Sequence, residues 1–121
     1  MKKPTDGELE ILSILWDKGP SSVRDVHETL EETKGSKYTT TLKLLQIMHE
    51  KGLVKRDTAA KVHIYEAIIT KDSTQKQLIN KIIDTVFDGS ASQLVMQALG
   101  HHKTNAKELE AIKKYLDNLD K

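Results

Sequence analysis

No cysteine occurs among the 121 residues, which removes disulfides, thiolate zinc sites and cysteine nucleophiles together and fits a reducing, cytoplasmic location. Aromatic residues make up only 4%, so any core must be mostly aliphatic. No apolar stretch approaches the length that spans a bilayer, and membrane insertion is not expected. The opening Met1-Lys2-Lys3-Pro4 leads into a mixed polar helix rather than an apolar run, so no signal peptide is expected. Missing too are a Gly-rich phosphate loop, paired catalytic carboxylates and a His-Glu metalloprotease motif. Ser90 lies in a Gly-Ser-Ala turn without a histidine or acid at a nucleophile's spacing, and a helix cap explains it better. His101-His102 lacks a third ligand at helical spacing and reads as a solvated loop. The expectation is a protein with no metal, no cofactor and no catalytic activity.

What is present is charge, unevenly spread. Charged residues make up 31% of the chain, yet the formal net charge is only +1. Residues 36–63 hold Lys37, Lys43, Lys51, Lys55, Arg56 and Lys61 against Glu50 and Asp57, six cations to two anions and a net of +4. Residues 1–35 are acidic in balance. A basic segment on a nearly neutral protein suits a site that meets an anion such as nucleic acid.

The length allows one domain, or a small domain with an appended helical segment. Thr5-Asp6-Gly7-Glu8 is a capping box. It opens a helix rich in Leu9, Ile11, Leu12, Ile14, Leu15 and Trp16, which Lys18-Gly19-Pro20 ends. Ser21-Ser22 forms a short extended piece and caps a second helix, where Val23, Val26 and Leu30 recur at helical spacing. Lys34-Gly35-Ser36 breaks it. A third helix spans about residues 39–51, opened by a threonine hydroxyl cap and stopped by a left-handed Gly52. At about 100° per residue, Thr41, Leu45 and Met48 share one stripe that faces the core. Thr39, Thr40, Lys43, Gln46, Ile47 and Glu50 fall opposite, able to reach phosphates and base edges.

After Gly52 the apolar period changes to two. Leu53 to Thr58 and Val62 to Ala67 read as paired strands joined by a turn at Thr58-Ala59-Ala60-Lys61. Three helices and a hairpin in about 65 residues is the order of a winged helix-turn-helix, with Arg56, Lys61 and His63 on or near the wing tip. Thr70-Lys71-Asp72-Ser73 then starts a helix striped with Leu78, Ile79, Ile82, Ile83, Val86 and Phe87. Asp88-Gly89-Ser90 breaks it. A short helix bearing Leu94, Val95, Ala98 and Leu99 ends at Gly100. A last one opens with a capping box at Asn105 and Glu108, and carries Leu109, Ile112, Leu116 and Leu119 at coiled-coil-like spacing. These helices total about 50 residues and cannot bury all their apolar surface alone. A second copy of the segment, in a two-fold dimer, is the simplest partner. The fold class is thus mostly α with a small hairpin wing. A winged-helix DNA-binding domain occupies residues 1–70 and a three-helix dimerisation domain residues 71–121.

Several short stretches closely resemble the penicillinase-repressor family, which includes repressors of β-lactamase and methicillin-resistance operons and related copper-responsive repressors. They are Leu15-Trp16 with Gly19-Pro20, Val23-Arg24-Asp25-Val26, Tyr38-Thr39-Thr40, Glu50-Lys51-Gly52-Leu53-Val54, Tyr65 after the wing, and Phe87-Asp88-Gly89-Ser90. The likeness runs from about Thr5 to about Leu119. It implies a homodimer on double-stranded DNA, bound at a palindromic operator with the third helix in the major groove. It also implies release by proteolysis within the dimerisation domain, triggered indirectly by a membrane-bound zinc-metallopeptidase sensor. Two departures stand at the reading face: members often carry threonine at Lys43 and arginine at Ile47. Arginine is the usual bidentate reader of guanine, whereas Ile47 offers only apolar contact, for example to a thymine methyl. The Asn-Phe pair at which antibiotic-responsive members are cut is absent, with Gln97-Ala98 nearby instead. The absence of a C-terminal cysteine cluster excludes the copper-sensing route.

The expected DNA-binding set is therefore Tyr38, Thr39, Thr40, Lys43, Gln46, Ile47, Arg56, Lys61 and His63. The expected dimerisation set is Leu78, Ile82, Ile83, Val86, Phe87, Leu94, Val95, Leu99, Leu109, Ile112 and Leu116. Two functions fit: a dimeric DNA-binding transcriptional repressor, and a winged-helix module that holds a protein partner without specific DNA binding.

Overall fold

The computed structural model describes residues 3–120, so the reading of the first residues at Met1 and Lys2 lies outside it. The chain divides into two compact units, one ending at Lys76 and the other beginning at Gln77. The elements run α1 (Asp6–Lys18), β1 (Ser21–Ser22), α2 (Val23–Lys34), α3 (Tyr38–Lys51), β2 (Val54–Asp57), β3 (Ile64–Ala67), α4 (Lys71–Val86), α5 (Ala91–His101) and α6 (Ala106–Leu119). Six helices with one small antiparallel sheet match the expected class.

In the first unit, local chemistry sets the helix starts. The Thr5 amide donates to Glu8 Oε1 at 2.8 Å, and the Glu8 amide donates to the Thr5 hydroxyl at 3.3 Å. Ser22 and Asp25 repeat this box on α2, at 3.1 and 3.2 Å. Each box satisfies two backbone groups that the first helical turn leaves unpaired. Gly52, at φ 81°, closes α3 in the left-handed region, as expected from a glycine there. The opening of α3 differs from expectation. Its N-cap is Lys37, which makes no side-chain cap bond, and the threonines lie inside the first turn. A residue caps a helix by having extended backbone, and here Lys37 has it (φ −81°, ψ 148°).

Ile11, Leu12 and Leu15 of α1 meet Val23, Val26 and Leu30 of α2, Leu45 and Met48 of α3, and Leu53, Val54, Tyr65 and Ile69. All are buried, and Trp16 seals the edge by donating its indole N–H to the Ile69 carbonyl at 3.0 Å. The sheet order is β1-β3-β2. Ser21 and Ser22 pair with Tyr65 and Ile64, and Val54 to Asp57 pair with Ala67 to Ile64. The strands are shorter than expected: Leu53 is a buried turn residue, and Thr58, Val62 and His63 belong to the connection. Asp57 Oδ1 accepts the Ala59 amide at 2.9 Å, turning the chain out of β2.

In the second unit, Ser90 caps α5 by accepting the Gln93 amide at 3.2 Å, the role expected of it. Asn105 accepts the Glu108 amide at 2.8 Å, which is half of the anticipated box. The helix α5 does not stop at Gly100. It runs on to His101 and is capped at His102, because Gly100 keeps helical backbone. No residue of α5 or α6 is buried. Leu78, Ile83, Phe87, Leu94, Leu99 and Ile112 are half-buried, while Ile82, Val86, Val95, Leu109 and Leu116 are exposed. Among the described residues no helix is long and apolar enough to cross a membrane.

Candidate nucleic-acid interface

The helix α3 is held by one face and shows the other. Thr41, Leu45 and Met48 are fully buried, the stripe that helical periodicity picks out. Tyr38, Thr39, Thr40, Lys43, Gln46 and Glu50 are exposed on the remaining arc, and Ile47 is half-buried there. The structure thus brings six of the nine expected DNA-contacting residues, Tyr38 to Ile47, onto one helix. No side chain caps α3; the Thr40 and Thr41 amides donate to the Lys37 carbonyl at 3.1 and 3.2 Å, which leaves the amides of Tyr38 and Thr39 at the helix start without a side-chain cap.

Lys61 and His63 lie in the exposed connection between β2 and β3. Arg56 sits elsewhere. It is the third residue of β2, directly opposite Tyr65 and two residues from buried Val54. Period-two alternation therefore turns it toward the core side of the hairpin. It is half-buried, and its Nε has no hydrogen-bond partner among the described residues.

Two of the segment's six cations are already occupied. Lys55 Nζ lies 2.8 Å from the Glu66 carboxylate across the strands, which raises the lysine's pKa. Lys51 Nζ lies 2.7 Å from Glu8 Oε1. Lys37, Lys43, Lys61 and the rest of Arg56 remain to meet an anion. A groove of about 870 Å³ runs between α2, the first turns of α3 and the β2–β3 connection, lined by Val23, His27, Tyr38, Leu42, Lys61 and Val62 among others. His27 stands 3.2 Å from Glu31 and meets the Tyr38 ring edge-on, with centroids 5.4 Å apart and planes at 78°. Nothing in the sequence signals this support of Tyr38. The two residues lie on different helices, with no period to connect them. Among the described residues, no group of three or more His, Asp or Glu could hold a metal ion.

Glu8 carries a testable consequence. Burial would raise its pKa, but the Lys51 ammonium and the Thr5 groups outweigh burial and hold it below the usual 4.5. A carboxyl depressed by folding stabilises the protein above its unfolded pKa, and that contribution is lost as pH falls through the folded value. Stability should therefore start to fall near pH 4.5 and keep falling below it. In Glu8→Gln that part of the acid dependence should vanish. Urea midpoints measured from pH 6 to pH 3 for both proteins check this, and parallel curves would refute the assignment.

The family model for the penicillinase repressor matches residues 4–118. The penicillinase repressor of Staphylococcus aureus is 20% identical over 114 residues, covering 94% of this chain and 90% of that protein. The transcriptional regulator BlaI of Mycobacterium tuberculosis is 29% identical over 119 residues, covering 94% of this chain and 84% of BlaI. Among solved structures, the DNA-binding domain of the repressor BlaI matches with a TM-score of 0.53 at 24% identity, over 59% of this chain and 90% of that domain. That last likeness is one of fold.

Proposed function

The chain belongs to the penicillinase-repressor family, and from that premise we propose that it is a cytoplasmic, dimeric transcriptional repressor that binds a palindromic operator in double-stranded DNA. Members of the family are repressors, not enzymes. One observation carries the reading for this chain: α3 is clamped by its buried stripe and turns a polar, hydroxyl-rich face outward. In the groove, Thr39, Thr40 and Gln46 bond to phosphates and base edges, and Lys43 reaches guanine or phosphate. Ile47 packs on a thymine methyl. Tyr38 and the uncapped first amides of α3 meet the backbone, where a helix N-terminus favours an anion. Lys61 and His63 reach the flanking phosphates from the wing, with Arg56 on β2 beside them. Residues 1–70 serve as the DNA-binding domain and residues 71–121 as the dimerisation domain.

Binding to random duplex DNA over a range of salt tests the reading. Phosphate contacts give a log–log slope of about −0.9 for each phosphate neutralised. A flat dependence would instead support a module that holds a protein partner.

Lys43→Ala should weaken binding in one of two patterns. A phosphate contact lowers affinity almost equally for operator and random DNA, whereas a base contact removes about 1–3 kcal/mol of discrimination at one base pair. Gel-shift titrations on both DNAs separate the patterns. Unchanged affinity on both would mean that another face of α3 enters the groove.

Release from DNA follows a cut in the dimerisation domain, between Leu94 and Leu99, set off by a membrane-bound zinc-metallopeptidase sensor acting indirectly. Gly89 just before α5 and Gly100 near its end favour local opening that admits a protease. Immunoblots taken through induction should show the full-length chain disappearing as target genes switch on. Persistence of the intact chain would point to a ligand or partner that frees the dimer.

A further inference from the structure

The far end of α3 is tied to the start of α1 by a bond that neither DNA reading nor core packing requires. Glu8 is only 1% exposed, and its Oε1 accepts both the Thr5 amide at 2.8 Å and the Lys51 ammonium at 2.7 Å. Lys51 is the last residue of α3. Close by, a Cβ on Gly7 would stand 3.7 Å from Leu44 Cδ1, so the first turn of α1 lies directly against α3. One buried carboxylate thus caps α1 and fixes the C-terminal end of the helix that presents Thr39, Thr40 and Lys43.

We infer that Glu8 and Lys51 form a positioning pair that sets the tilt of α3 in the operator and so governs sequence discrimination without touching DNA. The inference rests on the DNA-binding reading above. Lys51 lies eight residues beyond Lys43, about 12 Å along the helix axis. A bond at that distance from the reading residues has a long lever arm over their angle. Base-edge contacts need their side chains held within about 0.5 Å and 10–20° of the productive geometry. Phosphate contacts by flexible lysines tolerate more. Losing the tie should therefore cost specificity and leave the sequence-independent attraction nearly intact. Lys51 is not among the cations left to meet DNA, since it is only 21% exposed and its charge is matched by Glu8.

The test uses the full chain, a dyad duplex selected by the wild type from a random-sequence pool, and a scrambled duplex of equal length. In Glu8→Gln with Lys51→Met, glutamine keeps an acceptor for the Thr5 amide, methionine keeps the apolar stem, and no unpaired charge stays buried. This double variant, folded by circular dichroism, should bind the scrambled duplex within about twofold of wild type and with the same salt slope. Its preference for the selected duplex should drop by about tenfold, in the range of one lost base contact. Lys51→Arg, which can still donate to Glu8, should restore most of the preference. A folded double variant with unchanged preference overturns the inference while leaving the DNA-binding reading in place. If the double variant does not fold, Glu8→Gln alone decides, because weakening the ion pair must then lower the preference, and an unchanged ratio overturns the inference. A wild type that selects no duplex and shows no salt dependence overturns both.

Discussion

Cut after Lys76, the chain should sediment as a monomer, and its affinity for a palindromic operator should fall by about 10²- to 10⁴-fold. The cut follows the compact unit, which ends at Lys76, rather than the expected domain boundary at residue 70. Thr74 is 3% exposed and donates its hydroxyl to the Thr70 carbonyl at 2.7 Å, so ending the chain at Thr70 would strip a buried residue from the first unit. Each head keeps its α3 and its wing and should still bind one half-site. The loss comes from linkage: when two heads are joined, the second binds at an effective concentration set by geometry, and that advantage disappears in the monomer. The apolar side chains left exposed on the second unit support this assignment, with Val86 at 66%, Leu116 at 52% and Leu119 at 63%. Within the full chain, Ile82 and Leu94 to aspartate should reproduce the effect of the cut. Sedimentation and gel shifts on whole and half operators measure both quantities. A truncated chain that remains dimeric would move the interface into the first unit.

What the sequence made legible is what depends on neighbours. The Thr5–Glu8 and Ser22–Asp25 boxes join residues three apart, and both form. The stripe of Thr41, Leu45 and Met48 follows from the helical period alone, and with it comes the outward face of α3. Features that depend on pairing between distant segments were not legible. Arg56 was placed by its distance from the wing tip, but strand alternation opposite Tyr65 decides which way it faces. The pairing of β1 with β3 and the bond from Lys51 to Glu8 join residues 42 or more positions apart, with no local pattern to announce them. The start of α3 failed for another reason. A run of three threonines offers several hydroxyl caps, and backbone conformation at Lys37, which composition does not encode, chose none of them.

Tyr65→Ala and Tyr38→Ala should give opposite results, although both tyrosines lie in the first unit. Tyr65 is 1% exposed on β3, the central strand, opposite Ser21 on one side and Arg56 on the other. Removing a buried aromatic of this size costs about 3–5 kcal/mol. A unit of this length has only about 4–11 kcal/mol of stability in total. The melting temperature should drop by roughly 15–30 °C, and operator binding should fail because the wing loses its inner support. Tyr38 is 46% exposed at the start of α3, and among the described residues its one aromatic contact is with His27. Its loss should cost about 1 kcal/mol of stability, the scale of an aromatic edge contact, while weakening DNA binding at a temperature where the protein is fully folded. Thermal melts and gel shifts on both variants separate fold from function. Equal melting losses, or undiminished binding by Tyr38→Ala, would remove Tyr38 from the DNA-contacting face.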